Sequence, residues 1–383
     1  MSEAHSSGYE LASALTACTD RIYAVPGYPV TDLVSMTRAM LVINEKVALE
    51  FALGDSLAGR RACVIVKHVG MNALLDPLVH ATFQGIRAGV VILCGDDPTA
   101  KKTMTVQDSR CFGPVAQIPV LNNPSPSDIS KAFDISEKYS RATLIRLTPD
   151  HLNFQKDEVG VSAGACRCKT SVSPGSLADP DLTMYGRAAL AGAGSDRLAA
   201  EGLSPVPYPS IPVTDSPLRR SDRGYALSLC HACPFRALYE KMQIRGICAI
   251  CDTGCSLIAM NPPFSFGIAS FGMGSAIGVA AQSGNVALIG DYALLHTGLQ
   301  SLIEVYRQQI PLLTIVMVNR CMGMTGGQPT GDPLPYLGFA NPDVCDMQDL
   351  ERLDQLLAQP NLPRTILVYG RCPEVITHET VAC

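Results

Sequence analysis

Residues 286–328 read VALIGDYALLHTGLQSLIEVYRQQIPLLTIVMVNRCMGMTGGQ. The first apolar run ends in Gly290-Asp291. Leu299, Leu302, Ile303, Val305 and Tyr306 then recur at helical spacing. A second apolar run, Leu312–Val318, ends in Asn319-Arg320. The pattern predicts two buried strands of the parallel type flanking a crossover helix. Open α/β sheets bind ligands at the carboxyl ends of their strands. Asp291 and Asn319 are therefore expected side by side in one crevice. A carboxylate, an amide oxygen and a backbone carbonyl, for which Cys321 is placed, suit a hard divalent cation that keeps positions open for diphosphate oxygens.

Working towards the N-terminus, residues 21–149 alternate strand-like and helix-like runs. Arg21–Val25 ends at Pro26-Gly27, a strand-to-turn punctuation. Asn44–Gly59 has helical spacing. Ala62–Val66, Val90–Leu93 and Thr143–Leu147 read as buried strands, and Pro124–Ser140 as a helix with Ser125 or Ser127 as cap. The fold class is α/β: two doubly wound, mostly parallel-sheet domains, 1–150 and 223–383, joined by a linker or irregular region at 151–222. That middle region carries Ser, Pro, Gly and Ala without long apolar periodicity, with one short helix expected near Arg187–Ala199. Its Cys166 and Cys168 receive no role. In the second domain, Gly267, Gly272, Gly274 and Gly278 let a helix approach another backbone closely. The last strand is expected at Thr365–Tyr369.

Composition narrows the function classes. The 383 residues are 47% hydrophobic with a net charge of −5. Large cores fit this balance, and nucleic acid as a main partner does not. No apolar run reaches membrane-spanning length, and the polar start MSEAHSSGYE is not a signal peptide. Fifteen cysteines without a secretory signal point to a cytoplasmic protein whose thiols are reduced, metal-bound or redox-active.

Cys230 and Cys233 form a C-x2-C, Cys255 follows Asp252-Thr253-Gly254 at a strand end, and Cys372 follows the last strand. Four thiolates from one end of a sheet suit zinc or an iron–sulfur cluster; buried free thiols are the alternative, because cysteine is common in cores. Cys248 and Cys251 fall inside a predicted strand and read as core.

The motifs Gly-Asp-x-x-x-x-His-Thr-Gly (290–298) and Asn-Arg-x-x-x-Met-Thr-Gly-x-Gln-Pro (319–329) resemble those of thiamine-diphosphate-dependent 2-oxoacid:ferredoxin oxidoreductases, in particular the large subunit of the indolepyruvate enzymes. NEKVALEFALGDSLAGRRACVIVKHVGMNALLDPL (44–78), GDDPTAKKTMTVQDSRCFGPVAQIPVL (95–121), CHACP and DTGC extend the resemblance over 20–150 and 225–375. It implies thiamine diphosphate and Mg2+, with Asp291, Asn319 and the Cys321 carbonyl as metal ligands. Pro26, Gly27, Gly290, Tyr292, Cys321, Met322, Gly323 and Met324 are implied around the cofactor.

For Glu45 two readings stand. As a helix-start carboxylate it is favoured by the macrodipole. By resemblance it hydrogen-bonds the aminopyrimidine and drives cofactor activation, which calls for a dry pocket and a tuned pKa. Glu50, one turn on, is the runner-up, read as a structural charge. His296 is a candidate for proton handling or diphosphate contact. His68, at a strand end, divides between a structural and a ligand-facing role. Arg110 could hold a substrate carboxylate or be a solvated loop arginine. The resemblance assigns Cys230, Cys233, Cys255 and Cys372 to a 4Fe–4S cluster.

Departures from the family are Tyr292 in place of a small residue, a middle segment too short for the family's extra domain, and no ferredoxin-type cysteine run. The implied activity is oxidative decarboxylation of an aryl or branched 2-oxoacid, with electrons passing to the cluster and an external acceptor. A smaller subunit, a ferredoxin-like carrier and a homodimer are the implied partners. A non-oxidative decarboxylase or carboligase, and a catalytically silent subunit of a larger complex, are the alternatives.

Overall fold

A computed structural model describes residues 7–153, 178–179, 182, 184–203, 229–230, 232–261, 263–324 and 327–372. The chain divides into two compact units, 1–179 with 187–217 and 180–186 with 218–383. Each is an α/β unit around a six-stranded parallel sheet. The class and the two-sheet organisation expected from the alternating runs are thus what the chain adopts.

The first sheet has strands β1 (Arg21–Ala24), β2 (Met40–Leu41), β3 (Ala62–Lys67), β4 (Val90–Gly95), β5 (Val120–Asn122) and β6 (Thr143–Leu147), in the order β2-β1-β3-β4-β6-β5. Every pairing is parallel. All six residues of β4 are buried, because helices cover both faces and each side chain leaves water; that area removal is the main stabilising term. The helix of Glu45–Leu57 starts at Asn44, whose side chain accepts Val47 N–H at 2.8 Å, a standard N-cap bond. The helix expected from Pro124 begins only at Asp128 and runs to Tyr139. Pro124 and Pro126 account for the delay: a residue before proline is pushed out of the helical region. Ser125 serves the start from outside, its N–H and Oγ both donating to the Asp128 carboxylate at 3.1 and 2.8 Å.

Within the stretch expected to be a linker, Met184–Ala200 forms a 17-residue helix. Its Leu198 packs with Ile135 and Tyr139 of the Asp128–Tyr139 helix. Arg141 fastens it: its fully buried guanidinium donates to Ser195 Oγ at 2.9 Å, Ala191 O at 3.0 Å and Gln117 O at 2.7 Å. The apolar stripe of this helix is built largely of alanine, which is why periodicity understated it. Cys166 and Cys168 lie outside the described residues, as does everything after Cys372.

The second sheet has β7 (Ala249–Cys251), β8 (Gly267–Ala269), β9 (Val286–Gly290), β10 (Leu313–Val318), then, after a two-stranded antiparallel ribbon β11 (Cys321–Met322) and β12 (Gln328–Pro329), β13 (Asp343–Asp346) and β14 (Arg364–Tyr369). Its order is β13-β14-β10-β9-β7-β8. β9 and β10 are direct parallel neighbours, with Gly290 opposite Met317. β13 was not foreseen, since its Asp343 and Asp346 mask the strand pattern. Of the second C-x2-C, Cys251 is core as expected, but Cys248 precedes the strand and is exposed. Among the described residues no helix is long and apolar enough to cross a membrane.

Candidate active site

In the second unit the carboxyl ends of β7, β9 and β10 are contiguous. Asp291 begins the helical segment after β9 and is almost fully buried. Its Oδ2 accepts the Arg320 N–H at 2.6 Å, and its Oδ1 the Tyr292 N–H at 2.7 Å. Burial raises its pKa, while the N–H groups of Arg320, Tyr292 and Asn319 oppose that rise. Asn319 Oδ1 accepts the Cys321 N–H at 3.2 Å. Arg320 between them adopts φ +57°, turning the chain sharply after β10. A buried carboxylate beside an amide oxygen fits a hard cation, which would offset the desolvation of the carboxylate.

The segment after Asp291 is not a regular helix. Leu294–Gly298 is a π turn, followed by the α-helix Leu299–Arg307. Such widened turns recur at functional sites. His296 is exposed on this turn, its ring 5.7 Å from that of Tyr292. Thr297 Oγ1 donates to Met273 O at 2.5 Å. Gly274 sits against the same turn at φ +78°, where a Cβ would come within 2.5 Å of Gly298 N.

The glycine loop is held from below by Asp252, which the sequence reading passed over. Its fully buried carboxylate accepts Gly274 N–H at 2.9 Å and Ala276 N–H at 3.2 Å, and so caps the helix Ala276–Ser283. Its signal was visible: an acidic residue at the end of an apolar run, ahead of a glycine cluster.

Beside Asn319 lies a small cavity of about 20 Å³. Cys230, Cys233, Cys255 and Cys372 line it together with Asn319 and Gly323. The four cysteines come from three separated segments. Burial, then the charges of Cys230 and Cys372, push the Cys233 thiol up to about 11. Burial, then Cys233, Cys372 and Cys230, push Cys255 up to about 12. The four thiols thus lie near one another around the cavity. Among the described residues no three His, Cys, Asp or Glu side chains close on a single point where one metal ion could sit.

In the first unit, Glu45 is half-buried at the start of its helix. Its side chain lies over Gly70, where a Cβ would fall 2.5 Å from Glu45 Oε1. The glycine after Lys67-His68-Val69 therefore makes the room that Glu45 uses. Glu50 is fully buried and pairs with Lys46, a structural ion pair as expected for the runner-up.

His68 receives a correction in emphasis. It is fully buried, with Nδ1 3.3 Å from Gly95 O and Nε2 3.1 Å from Thr105 O. Both nitrogens face protein acceptors, so its geometry is that of a residue tying the 97–108 loop to β4. Arg110 is engaged by Asp108, with Nε 2.9 Å from Oδ1; Arg110, then the Arg146 charge, lower Asp108 to about 2. This exposed pair matches the solvated-loop reading. Pro26 and Gly27 follow β1, and Gly27 packs against the Lys67 side chain. Met322 and Met324 belong to the turn at the β11–β12 ribbon, of which 325 and 326 are not described.

Residues 252–347 match the thiamine pyrophosphate enzyme family, C-terminal TPP binding domain. Indolepyruvate oxidoreductase subunit IorA of Methanothermobacter thermautotrophicus is 26% identical, over 89% of this chain and 77% of that protein. IorA of Archaeoglobus fulgidus is 41% identical over 27% of this chain and 17% of its own length. An X-ray structure from Mycobacterium smegmatis, provisionally assigned as a thiamin diphosphate-dependent enzyme, covers 96% of this chain with a TM-score of 0.61 at 14% identity; it speaks for the fold. The chain is similar to IorA over most of its length.

The match to the TPP binding domain falls within the second unit. The matched span includes Asp252, Cys255, Asp291, His296 and Asn319 but ends before Cys372 and begins after Cys230 and Cys233. Glu45 also lies outside it. The matched span thus covers the carboxyl ends of β9 and β10, while Glu45, Cys230, Cys233 and Cys372 lie outside it.

Proposed function

We propose that this chain is a thiamine-diphosphate- and Mg2+-dependent 2-oxoacid oxidoreductase of the indolepyruvate class. One observation carries the oxidative reading: the four cysteines line a single cavity whose wall includes Asn319, the proposed metal ligand. When bound, thiamine diphosphate supplies the nucleophilic carbon for decarboxylation, and a thiolate-held 4Fe–4S cluster accepts electrons singly.

The chain's own residues have defined tasks in this reading. Asp291, Asn319 and the Cys321 carbonyl offer oxygens to Mg2+. Asp252 keeps the Gly272–Gly274 loop in shape for the diphosphate. Glu45 holds a proton at its carboxyl for the aminopyrimidine, and Gly70 leaves it the space to do so. His296, exposed on the π turn, moves protons near the reacting carbon. Electrons leave to a ferredoxin-like carrier, and a smaller subunit and a second copy of the chain complete the assembly.

The test is on anaerobically purified protein. Bound cofactor is read by mass spectrometry, with iron and acid-labile sulfide measured on the same sample. Thiamine diphosphate with about four iron per chain is the expected result for one cubane. Thiamine diphosphate without iron, in protein never exposed to air, would turn the reading to a non-oxidative decarboxylase. Neither cofactor after reconstitution with Mg2+ would leave a silent subunit.

A further inference from the structure

The second unit has another pocket, of about 510 Å³, at the carboxyl ends of β10, β14 and β13. Asn319, Arg320, Met347, Tyr369, Arg371 and Cys372 are in its wall. Asp291 and Tyr292 are not. It therefore lies on the far side of β10 from the proposed metal site. Cys372 also lines the cysteine cavity, so the two spaces share that wall.

The chemistry of the wall selects a ligand. Arg371 is exposed, with no hydrogen bond or ion pair among the described residues. Arg320, by contrast, is spoken for: its Nη2 is 2.6 Å from Asp332 Oδ2, and its guanidinium stacks 5.6 Å over the Tyr369 ring. Tyr369 in turn donates its hydroxyl to Asp332 at 2.9 Å. The aromatic wall is thus fixed, and the open cation is Arg371. Val318, Met347 and Pro234 add apolar surface. Asp346 is on the rim, its Oδ1 holding the Gln348 N–H at 2.8 Å, and its charge disfavours a dianion. An apolar body with one negative charge meets all of these features.

We propose that this pocket is a binding site for an organic monocarboxylate with an aryl or branched apolar body, anchored by Arg371. The site is independent of thiamine diphosphate and goes beyond the proposed activity. A carboxylate bound there stands against Cys372, one wall away from the other three thiols.

The test is calorimetric titration of the full chain with 3-phenylpropanoate, which has no oxo group to react. Phenyl phosphate and inorganic phosphate serve as comparison probes. Titrations are run with and without saturating thiamine diphosphate and Mg2+. The expected result is saturable binding of the carboxylate, one per chain, in both conditions, and weaker binding of both phosphates. Arg371→Gln should weaken it about tenfold or more, and Gln348→Glu, which adds a second rim charge, should do likewise. Both residues are exposed, so both variants are expected to fold. Asp291→Asn should leave carboxylate binding unchanged. No saturable binding, or wild-type binding by both rim variants, would overturn the site. So would competition by thiamine diphosphate, which would make the pocket part of the diphosphate crevice. Tighter binding of phenyl phosphate would overturn the carboxylate assignment. Carboxylate binding by a chain that takes up no thiamine diphosphate would remove the proposed function and leave this site standing.

Discussion

The Asp291 carboxylate accepts the backbone N–H of Arg320 at 2.6 Å, so the end of β9 is stitched to the turn that follows β10. With the Tyr292 N–H on its other oxygen, Asp291 is already a structural acceptor before any metal arrives. Its two roles are separable. Asp291→Ala strands two backbone donors in a buried site and should lower unfolding free energy by about 1–3 kcal/mol, read by chemical denaturation. Asp291→Asn keeps the shape and one acceptor oxygen, so its stability loss should be smaller. Both should lose Mg2+-dependent thiamine diphosphate binding. An alanine variant that binds the cofactor like wild type would remove Asp291 from the metal site.

Gly70 makes the second prediction. A Cβ there would lie 2.5 Å from Glu45 Oε1 and 2.8 Å from its carboxyl carbon. The obstructed group is the far end of a flexible, half-buried side chain, so it can swing away at small cost to the fold. Gly70→Ala should therefore leave stability near wild type while displacing the carboxyl. Misplacing a catalytic group by about 1 Å can cost about a hundredfold in rate, and a fall in kcat of that order with unchanged cofactor affinity is the expected signature. An unchanged kcat in Gly70→Ala, set beside a strongly impaired Glu45→Gln, would show that Glu45 does not act from this position.

Much of this was legible in the chain. The Gly290-Asp291 and Asn319-Arg320 strand ends were readable because fully buried parallel strands are continuous apolar runs, and such runs stop at the first polar residues. Cys255 and Cys372 were readable because they follow strand ends, and Cys230 with Cys233 as a C-x2-C. Cys372 was the least secure by sequence, yet it lines the same cavity as the others. What escaped has physical causes. The helix expected near Arg187–Ala199 is there, but its start at Met184 and its anchoring by Arg141, at Ala191 O and Ser195 Oγ, were not readable from the alanine-rich stretch. Asp252 acts through backbone amides 22 and 24 residues on, a relationship no spacing rule announces. The π turn at Leu294–Gly298 differs from an α-helix by one residue per turn, which the apolar periodicity does not resolve.

His68 supplies a prediction that separates packing from chemistry. With both ring nitrogens facing carbonyl oxygens of Gly95 and Thr105, its removal should loosen the 97–108 loop. His68→Ala should destabilise the first unit by about 1–3 kcal/mol, with faster amide exchange in that loop. The folded fraction should retain kcat within about tenfold, since no ligand contact is lost. A kcat loss of several orders of magnitude in protein of wild-type stability would instead restore the ligand-facing role.

The last prediction concerns the boundary between the first unit and the stretch after it. The Arg141 guanidinium is fully buried and donates to Tyr139 O, Gln117 O, Ala191 O and Ser195 Oγ. Two of those acceptors belong to the Met184–Ala200 helix, which also packs Leu198 on Ile135 and Tyr139 and donates from Arg187 to Gln84 Oε1 at 3.2 Å. Arg141→Met keeps much of the side-chain volume but leaves these acceptors without their donor. Hydrogen bonds from a charged group are worth about 1.5–3 kcal/mol each, while the rest of the first sheet has its own core around Cys63, Val91 and Ile145. The variant should therefore release the helix locally before the unit unfolds. Limited proteolysis should cut within 184–200 much faster than in wild type, while the protection of β3 and β4 amides persists. Equal cleavage rates in the two proteins would mean that the packing of Leu198 and the hydrogen bonds of Arg187, and not Arg141, hold the helix in place.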